Sequence, residues 1–144
     1  MNLSRNFTLE ELTHTDTGVS NVPNDAEKYK LLLVANYLLQ PVRDQFGPIH
    51  VTSGFRSKAV HEAIQKTQGA PTSSTSQHLL AEAADFTLQV DIEKVFSWCK
   101  ENLIYGQLIK EDHNGKRWIH ISLPRMDKPN MQALIFENNR YREA

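Results

Sequence analysis

Two short segments of this chain alternate polar and apolar side chains, and this alternation limits how the chain can fold. In Trp-Ile-His-Ile-Ser at residues 118–122, both isoleucines would face one side of an extended strand and His120 the other. Residues 83–88 alternate in the same way, with Asp85 and Thr87 opposite three apolar side chains. Strands of this kind bury their apolar face on a core. The two strands would then present His120 and Asp85 toward a shared cleft.

His78 stands just before residues 83–88 and adds a third side chain that can bind a metal. Two imidazoles and one carboxylate are typical of catalytic zinc sites, which leave one coordination position for water. The same set suits non-haem iron, but the usual iron pattern places the His and the carboxylate two residues apart, whereas His78 and Asp85 are seven apart. The residues alone leave two interpretations open: a metal centre, or ordinary buried and surface histidines.

The same residues resemble a known family. The pattern Ser-x-His-x-x-Ala-x-Ala-x-Asp at residues 76–85, followed by Trp-x-His-x-Ser at residues 118–122, is similar to the motifs of the zinc D-Ala-D-Ala carboxypeptidases. Related peptidoglycan-cleaving peptidases, phage lysis enzymes among them, carry the same motifs, and the Hedgehog signalling domain shares the fold. The resemblance spans about residues 6–123, and further matching segments occur in the family's order at residues 7–12, 39–43, 51–57 and 107–111.

The resemblance implies a zinc-dependent peptidase that hydrolyses peptidoglycan stem peptides, first of all a D-Ala-D-Ala carboxypeptidase of phage or prophage type. Zinc (Zn2+) would be held by His78, Asp85 and His120. Three alternatives stay open. One is an endopeptidase of the same family, of the L-Ala-D-Glu type found among lysis enzymes. The second is a non-catalytic zinc-binding module, as the Hedgehog resemblance implies, and the third is a phage structural protein that keeps the fold without metal.

A peptidase of this kind needs a base to take a proton from the attacking water and pass it to the leaving amine. Many relatives use a carboxylate shortly before the last His, but here Arg117 stands three residues before His120 and cannot act as a base. Glu111 matches the Glu of the family's Gln-Leu-Ile-x-Glu segment and is the predicted base, with Asp112 second. Both are expected at the start of a hairpin turn, where a merely solvated carboxylate is the alternative. Glu82 is a weaker candidate because it should point to the opposite face.

Arg56 is predicted to hold or polarise the substrate. It follows a turn after a strand, and its planar guanidinium suits a carboxylate or a polarised carbonyl. The alternative is a surface Arg at a helix start, where its positive charge would be unfavourable against the helix dipole. Ser76 and Gln77 are expected to orient the ligands or contact the substrate, and Trp118 to contact the substrate.

The chain departs from the family pattern at three places. Ala81 replaces a Gly, so a backbone position that often uses the freedom of glycine carries a methyl group. His61 stands where an Asn is frequent, and residues 68–75 form a longer, less glycine-rich linker. None of these changes removes a ligand, but Ala81 bears on the local geometry. His61 and His113 are expected at the surface, with His113 bordering the cleft.

The length and composition of the chain limit its domain organisation and its partners. The 144 residues fit one domain, residues 1–144, with the family core at about 6–123 and a C-terminal strand and tail at 131–144. A formal net charge of −1 indicates no nucleic-acid partner, and no apolar run is long enough to cross a membrane. The single Cys99 excludes an internal disulfide and is expected in the core. Because the first residues lack an apolar signal core, the chain is expected to be made in the cytoplasm and to act at the cell wall after lysis or virion delivery. A monomer is expected.

Helix and strand signals follow one another without internal repeats. Helix caps are predicted at Thr8 and at Asn24 or Asp25, and Pro41 should kink the longer helix that follows Pro23 or break it into two pieces. Asn-Gly at residues 114–115 predicts a hairpin. Further helices are expected at 57–66 and 91–102, a Ser/Thr-rich loop at 67–77, and strands at 49–51, 83–88, 105–110, 117–122 and 132–137. These elements predict a single α+β domain, a small antiparallel sheet with helices packed on one side, as in the Hedgehog and D-Ala-D-Ala peptidase fold.

Overall fold

The computed structural model of the protein describes residues 1–68, 76–127 and 129–144. Its strands are β1 Ile49–Ser53, β2 Ala83–Leu88, β3 Gln107–His113, β4 Lys116–Ser122, β5 Gln132–Glu137 and β6 Arg140–Glu143. Its helices are α1 Leu9–Leu12, α2 Asp25–Val34, α3 Gln40–Phe46, α4 Lys58–Gln68 and α5 Ile92–Asn102, and a π-helical segment, Ala35–Leu39, joins α2 to α3. The described residues form a mixed α+β domain with a six-stranded sheet, in agreement with the predicted fold class.

The strands of the sheet lie in the order β1-β2-β4-β3-β5-β6. Each neighbouring pair is antiparallel except β3 and β5, which run parallel, so the expected antiparallel sheet needs correction at this pair. Because β4 already has a neighbour on each edge, the chain that leaves it pairs with the free edge of β3 and runs in the direction of β3. The expected polar tail also forms a strand, β6, which pairs with β5.

A two-residue turn joins β3 to β4, as the Asn-Gly dipeptide predicts. Asn114 and Gly115 have positive φ angles of 53° and 81°, which a type I′ turn requires. The strands reach the turn directly, with His113 paired to Lys116, so both strands are longer than predicted. Glu111 and Asp112 therefore lie inside β3, and their predicted position at the start of the turn is wrong.

The hydrophobic core lies between one face of the sheet and the helices. Ile119 and Ile121 of β4 and Phe86 of β2 point into it and are fully buried, as their alternation predicts. Cys99 is a buried free thiol, also as predicted, and burial raises its pKa to about 12. The helical stripe that meets these side chains is fully buried and consists of Leu31, Val34, Leu38 and Val42. The other face of β2 and β4 is left for the polar side chains.

The N-terminal helices begin and break where the sequence predicts. Thr8 and Asn24 each form a capping box with the Glu three residues later. The π-helical segment stands directly before Pro41, which lacks an N–H donor and crowds the carbonyl of Tyr37. A wider π turn accommodates both effects. None of the described helices is long and apolar enough to cross a membrane.

Around α4, one expectation falls mainly outside the described residues and another is wrong. The loop expected at residues 67–77 falls largely on residues 69–75, which lie outside the described residues, as does most of the longer linker at 68–75. His61, expected at the surface, is buried with 5% of its area exposed. It lines a pocket together with Phe55 and Leu79, because the face of α4 that carries His61 is turned toward these two residues.

Ala81 ends the turn that leads into β2 and has a φ of 60° while fully buried. Its N–H donates to the carbonyl of His78 at 3.3 Å, and the N–H of Glu82 donates to the carbonyl of Gln77 at 2.9 Å. This backbone conformation costs an L residue roughly 1–2 kcal/mol. The turn therefore holds Ala81 in a strained conformation that the family's glycine adopts freely.

Ala81→Gly should leave the free energy of unfolding within about 0.5 kcal/mol of wild type, because two effects cancel. Glycine relieves the strain of roughly 1–2 kcal/mol. It also removes a buried methyl group and raises the conformational entropy of the unfolded chain, and together these two effects cost a similar free energy. Ala84→Gly is the matched control, since Ala84 is equally buried without a positive φ, and it should lose about 1–2 kcal/mol. Urea denaturation measures both; equal losses would show that Ala81 carries no strain.

Candidate functional site

The three predicted ligands meet at one point on the polar face of the sheet. Asp85 of β2 lies directly opposite His120 of β4, and the Nδ1 of His120 donates to Oδ1 of Asp85 at 2.8 Å. The Nε2 of His78, from the turn before β2, lies 3.2 Å from the same oxygen. The ligand atoms of all three residues lie within 4.8 Å of one another. The shared cleft that the alternation predicts is therefore present.

The spacing of these side chains fits a metal ion of the size of zinc. Zinc bonds of about 2.0–2.1 Å in a tetrahedron place ligand atoms roughly 3.3–3.4 Å apart. The distances of 2.8 Å and 3.2 Å around Oδ1 of Asp85 are close to that value. The side chains of His78, Asp85 and His120 are only 5%, 12% and 12% exposed. These residues would hold the ion with limited access for water.

A hydrogen bond to a backbone carbonyl fixes the orientation of the His78 ring. Its Nδ1 donates to the carbonyl oxygen of Gly54 at 2.7 Å, which turns Nε2 toward Asp85. Metal-binding histidines commonly have such a partner on the other ring nitrogen. Gly54 is required at this place, because an added Cβ would lie 2.3 Å from the carbonyl oxygen of Leu12 in α1. The sequence reasoning missed this role, although Gly54 lies inside the matching segment at 51–57.

The electrostatics of the centre favour a cation. Burial by itself would raise the pKa of Asp85, but the attraction of His78 and the hydrogen bond from His120 hold that pKa well below its usual range. Burial by itself would lower the pKa of His120. The hydrogen bond to Asp85 and the negative charge of Asp85 outweigh burial, so the pKa of His120 is raised. The pKa of His78 is lowered, chiefly by burial. Asp85 is therefore an anion at neutral pH, placed between two imidazole rings.

Arg56 stands beside this centre. Its Nη2 lies 3.8 Å from Oδ2 of Asp85, and its Nε donates to Oγ of Ser53 at 2.9 Å. Its backbone N–H donates to the carbonyl of His78 at 3.1 Å. The guanidinium is thus held at the β1 side of the cleft, with 20% of the side chain exposed. It is not the surface Arg of the alternative interpretation.

The two candidate bases, Glu111 and Asp112, lie on opposite faces of the sheet. Glu111 pairs with Trp118, two residues from His120, and so shares the face of the metal ligands. Burial and the charge of Asp85 raise the pKa of Glu111. Asp112 lies on the opposite face, where its Oδ2 is 3.9 Å from Nε of Arg117. The expected orientation of Glu82 away from the centre agrees with its ion pair to Lys30 at 3.0 Å.

The remaining predicted side chains take varied positions. Ser76 Oγ accepts from the backbone N–H of His78 at 3.3 Å and so supports a ligand. The Nε2 of Gln77 donates to the carbonyl of Leu123 at 3.2 Å, which ties the turn to the end of β4. Trp118 is half-buried beside Glu111 on the metal face. His113 is exposed at the end of β3, as expected.

The comparison with protein families agrees with this geometry. A family model described as Peptidase M15 matches residues 5–122, which is most of the chain. The chain belongs to the peptidase M15 family. This confirms the family resemblance of the sequence, and M15 peptidases are zinc metallopeptidases. No individual curated protein matches the chain. In this M15 peptidase, His78, Asp85 and His120 are the candidate zinc ligands.

His120→Ala should remove zinc from this M15 peptidase. Losing one of three ligands should weaken zinc affinity by more than about 100-fold, because even the loss of a partner behind a ligand costs 10–100-fold. Elemental analysis after dialysis should find about one zinc in the wild type and much less in the variant. His113→Ala is the matched control, since His113 is exposed outside the centre. Equal zinc content in wild type and His120→Ala would refute the assignment.

Proposed function

We propose that this M15 peptidase hydrolyses peptide bonds in peptidoglycan stem peptides, with D-Ala-D-Ala carboxypeptidase specificity as the first candidate. The observation that carries the proposal is the placement of the three-ligand centre between Arg56 on one side and Glu111 on the other. A guanidinium next to the centre suits the free carboxylate at the end of a peptide. Digestion of purified peptidoglycan, with mass spectrometry of the products, tests the proposal and identifies the bond that is cut.

Glu111 is the proposed general base. Zinc, when bound, would polarise the scissile carbonyl and lower the pKa of a water molecule to roughly 7. The Glu111 carboxylate then takes a proton from the attacking water and donates it to the leaving amine. Its raised pKa suits both steps, because a base works best when its pKa lies near the working pH. The position of Asp112 on the opposite face, beside Arg117, supports Glu111 over Asp112.

Arg56 is proposed to bind the substrate. The hydrogen bond to Ser53 leaves the terminal nitrogens of the guanidinium directed to the cleft, 3.8 Å from Asp85 at the nearest. Those nitrogens would donate to a substrate carboxylate, or to the scissile carbonyl if the chain continues past the bond. The second case corresponds to an endopeptidase of the L-Ala-D-Glu type, which is the alternative function within the family.

A non-catalytic zinc module and a structural protein without metal are both less well supported than a peptidase. A non-catalytic zinc module has no need of a half-buried carboxylate on the face of the candidate ligands, and Glu111 is such a group. A structural protein that has lost the metal has no need to keep three ligands in reach of one another.

We further propose that the protein acts as a monomer at the cell wall, without a membrane or nucleic-acid partner, and reaches the wall through lysis or virion delivery.

Glu111→Gln should keep zinc but lower kcat by about 100- to 10,000-fold, the usual contribution of a general base. The change removes the proton acceptor and preserves the size of the side chain. Asp112→Asn is the matched control, because Asp112 is the adjacent acid on the other face, and it should keep wild-type activity. Full activity of Glu111→Gln in a muropeptide assay would place the base elsewhere.

Arg56→Lys should lower kcat/KM by about 10–100-fold, because lysine keeps the charge but not the paired donors. Zinc content and melting temperature should stay near wild type. Arg117→Lys, on the opposite face, should have no effect. Amidation of the peptide's C-terminus should reduce wild-type activity far more than that of Arg56→Lys. If amidation leaves wild type unaffected, Arg56 does not bind a free carboxylate and the endopeptidase function is favoured.

A further inference from the structure

Two strands beyond the family match extend the metal face of the sheet. The match ends at residue 122, and β5 and β6 follow it. In β5, Phe136 is paired with Glu111, and in β6, Tyr141 is paired with Phe136. Paired residues of neighbouring strands share a face. A row of side chains therefore crosses four strands on the face of the zinc ligands, in the order Trp118, Glu111, Phe136 and Tyr141.

The two aromatic rings at the end of this row form an exposed wall beside Glu111. The ring centroids of Phe136 and Tyr141 lie 4.7 Å apart with a tilt of 49°. Tyr141 is 60% exposed, and Phe136 is half-buried next to the proposed base. Burial raises the pKa of Tyr141, and so do the charges of Glu111 and Asp85. The phenol thus lies within the field of the site's carboxylates.

The order of the strands gives the cleft two different ends. Ser53, which holds Arg56, is in β1, and the centre lies on β2 and β4. Tyr141 is at the other end, on the edge strand β6, two strands beyond Glu111. Counted from β4, which carries His120, Phe136 in β5 is two strand spacings away and Tyr141 in β6 is three, about 10–14 Å. An extended peptide advances roughly 3.3 Å per residue, so the wall begins about three residues from the scissile bond.

We propose that Phe136 and Tyr141 form a substrate subsite for an extended oligopeptide, on the side of the scissile bond opposite to Arg56. The inference rests on the proposed function, because that function sets which bond lies over the centre. The exposed ring of Tyr141 packs on the peptide chain and its hydroxyl reaches the peptide backbone. The subsite makes the enzyme distinguish a whole stem peptide from a dipeptide, which ends before it reaches the wall.

The test compares binding of two peptides, the dipeptide D-Ala-D-Ala and a stem pentapeptide that ends in D-Ala-D-Ala. Calorimetry on zinc-loaded protein measures affinity in the Glu111→Gln background, where neither peptide is cut. Adding Tyr141→Ala should weaken pentapeptide binding by about 3–10-fold, as for the loss of an aromatic contact, and leave dipeptide binding unchanged. Tyr141→Phe keeps the ring and should retain most of the pentapeptide affinity.

Tyr29→Ala is the matched control, since Tyr29 is 64% exposed on α2, and it should change neither affinity. Zinc content and melting temperature verify that each variant is folded. Three results would overturn the subsite. Tyr141→Ala could leave both peptide affinities unchanged, it could weaken both affinities by the same factor, or the parent protein could fail to bind the pentapeptide. A separate assay of hydrolysis by wild type tests the proposed function. If wild type cuts neither peptide but pentapeptide binding depends on Tyr141, the function fails and the subsite stands.

Discussion

The pairing of β2 with β4 is the constraint on which the site depends. Asp85 and His120 are directly opposite each other in that pair, and a shift of either strand by one residue would turn its own member of the pair into the core. The register is fixed from the other face, where Phe86, Ile119 and Ile121 are fully buried. Burial of these apolar side chains thus provides the free energy that holds a carboxylate and an imidazole in contact. The same core specifies the fold and positions the ligands.

The two carboxylates of the site, Glu111 and Asp85, have opposite effects on the stability of the folded protein. Burial and the charge of Asp85 raise the pKa of Glu111, so its ionised form destabilises the folded protein. This destabilisation is present above the ordinary pKa range of a glutamic acid and disappears as the pH falls and Glu111 is protonated. Asp85 behaves oppositely, because its lowered pKa stabilises the folded protein until it too is protonated in strong acid. Functional sites commonly combine such opposed groups.

The sequence predicts those parts of the molecule that local periodicity and turn chemistry determine. The alternation at residues 118–122 and the Asn-Gly turn predict the strands and their hairpin, and the structure has both. The parallel pairing of β5 depends on which strand edge is free after β4 has two neighbours, and no local pattern encodes that. Gly54 is likewise explained only by its approach to Leu12, a contact between residues far apart in sequence. The surface position predicted for His61 is wrong because a polar residue type does not show which helix face is covered.

The proposed specificity of this M15 peptidase depends on where the sheet order places each kind of group. The candidate ligands come from β2, β4 and the turn before β2, and the proposed base comes from β3, all inside residues 5–122 matched by the family model. The cation of Arg56 stands at the β1 side of this centre, and the aromatic wall on β5 and β6 lies past its other side. In the proposed function, a peptide lying across the strands would meet a charged end and an apolar end, and this difference would fix its direction. The strands inside the family match would then carry the catalytic groups, and β5 and β6 would lengthen the surface that recognises the peptide.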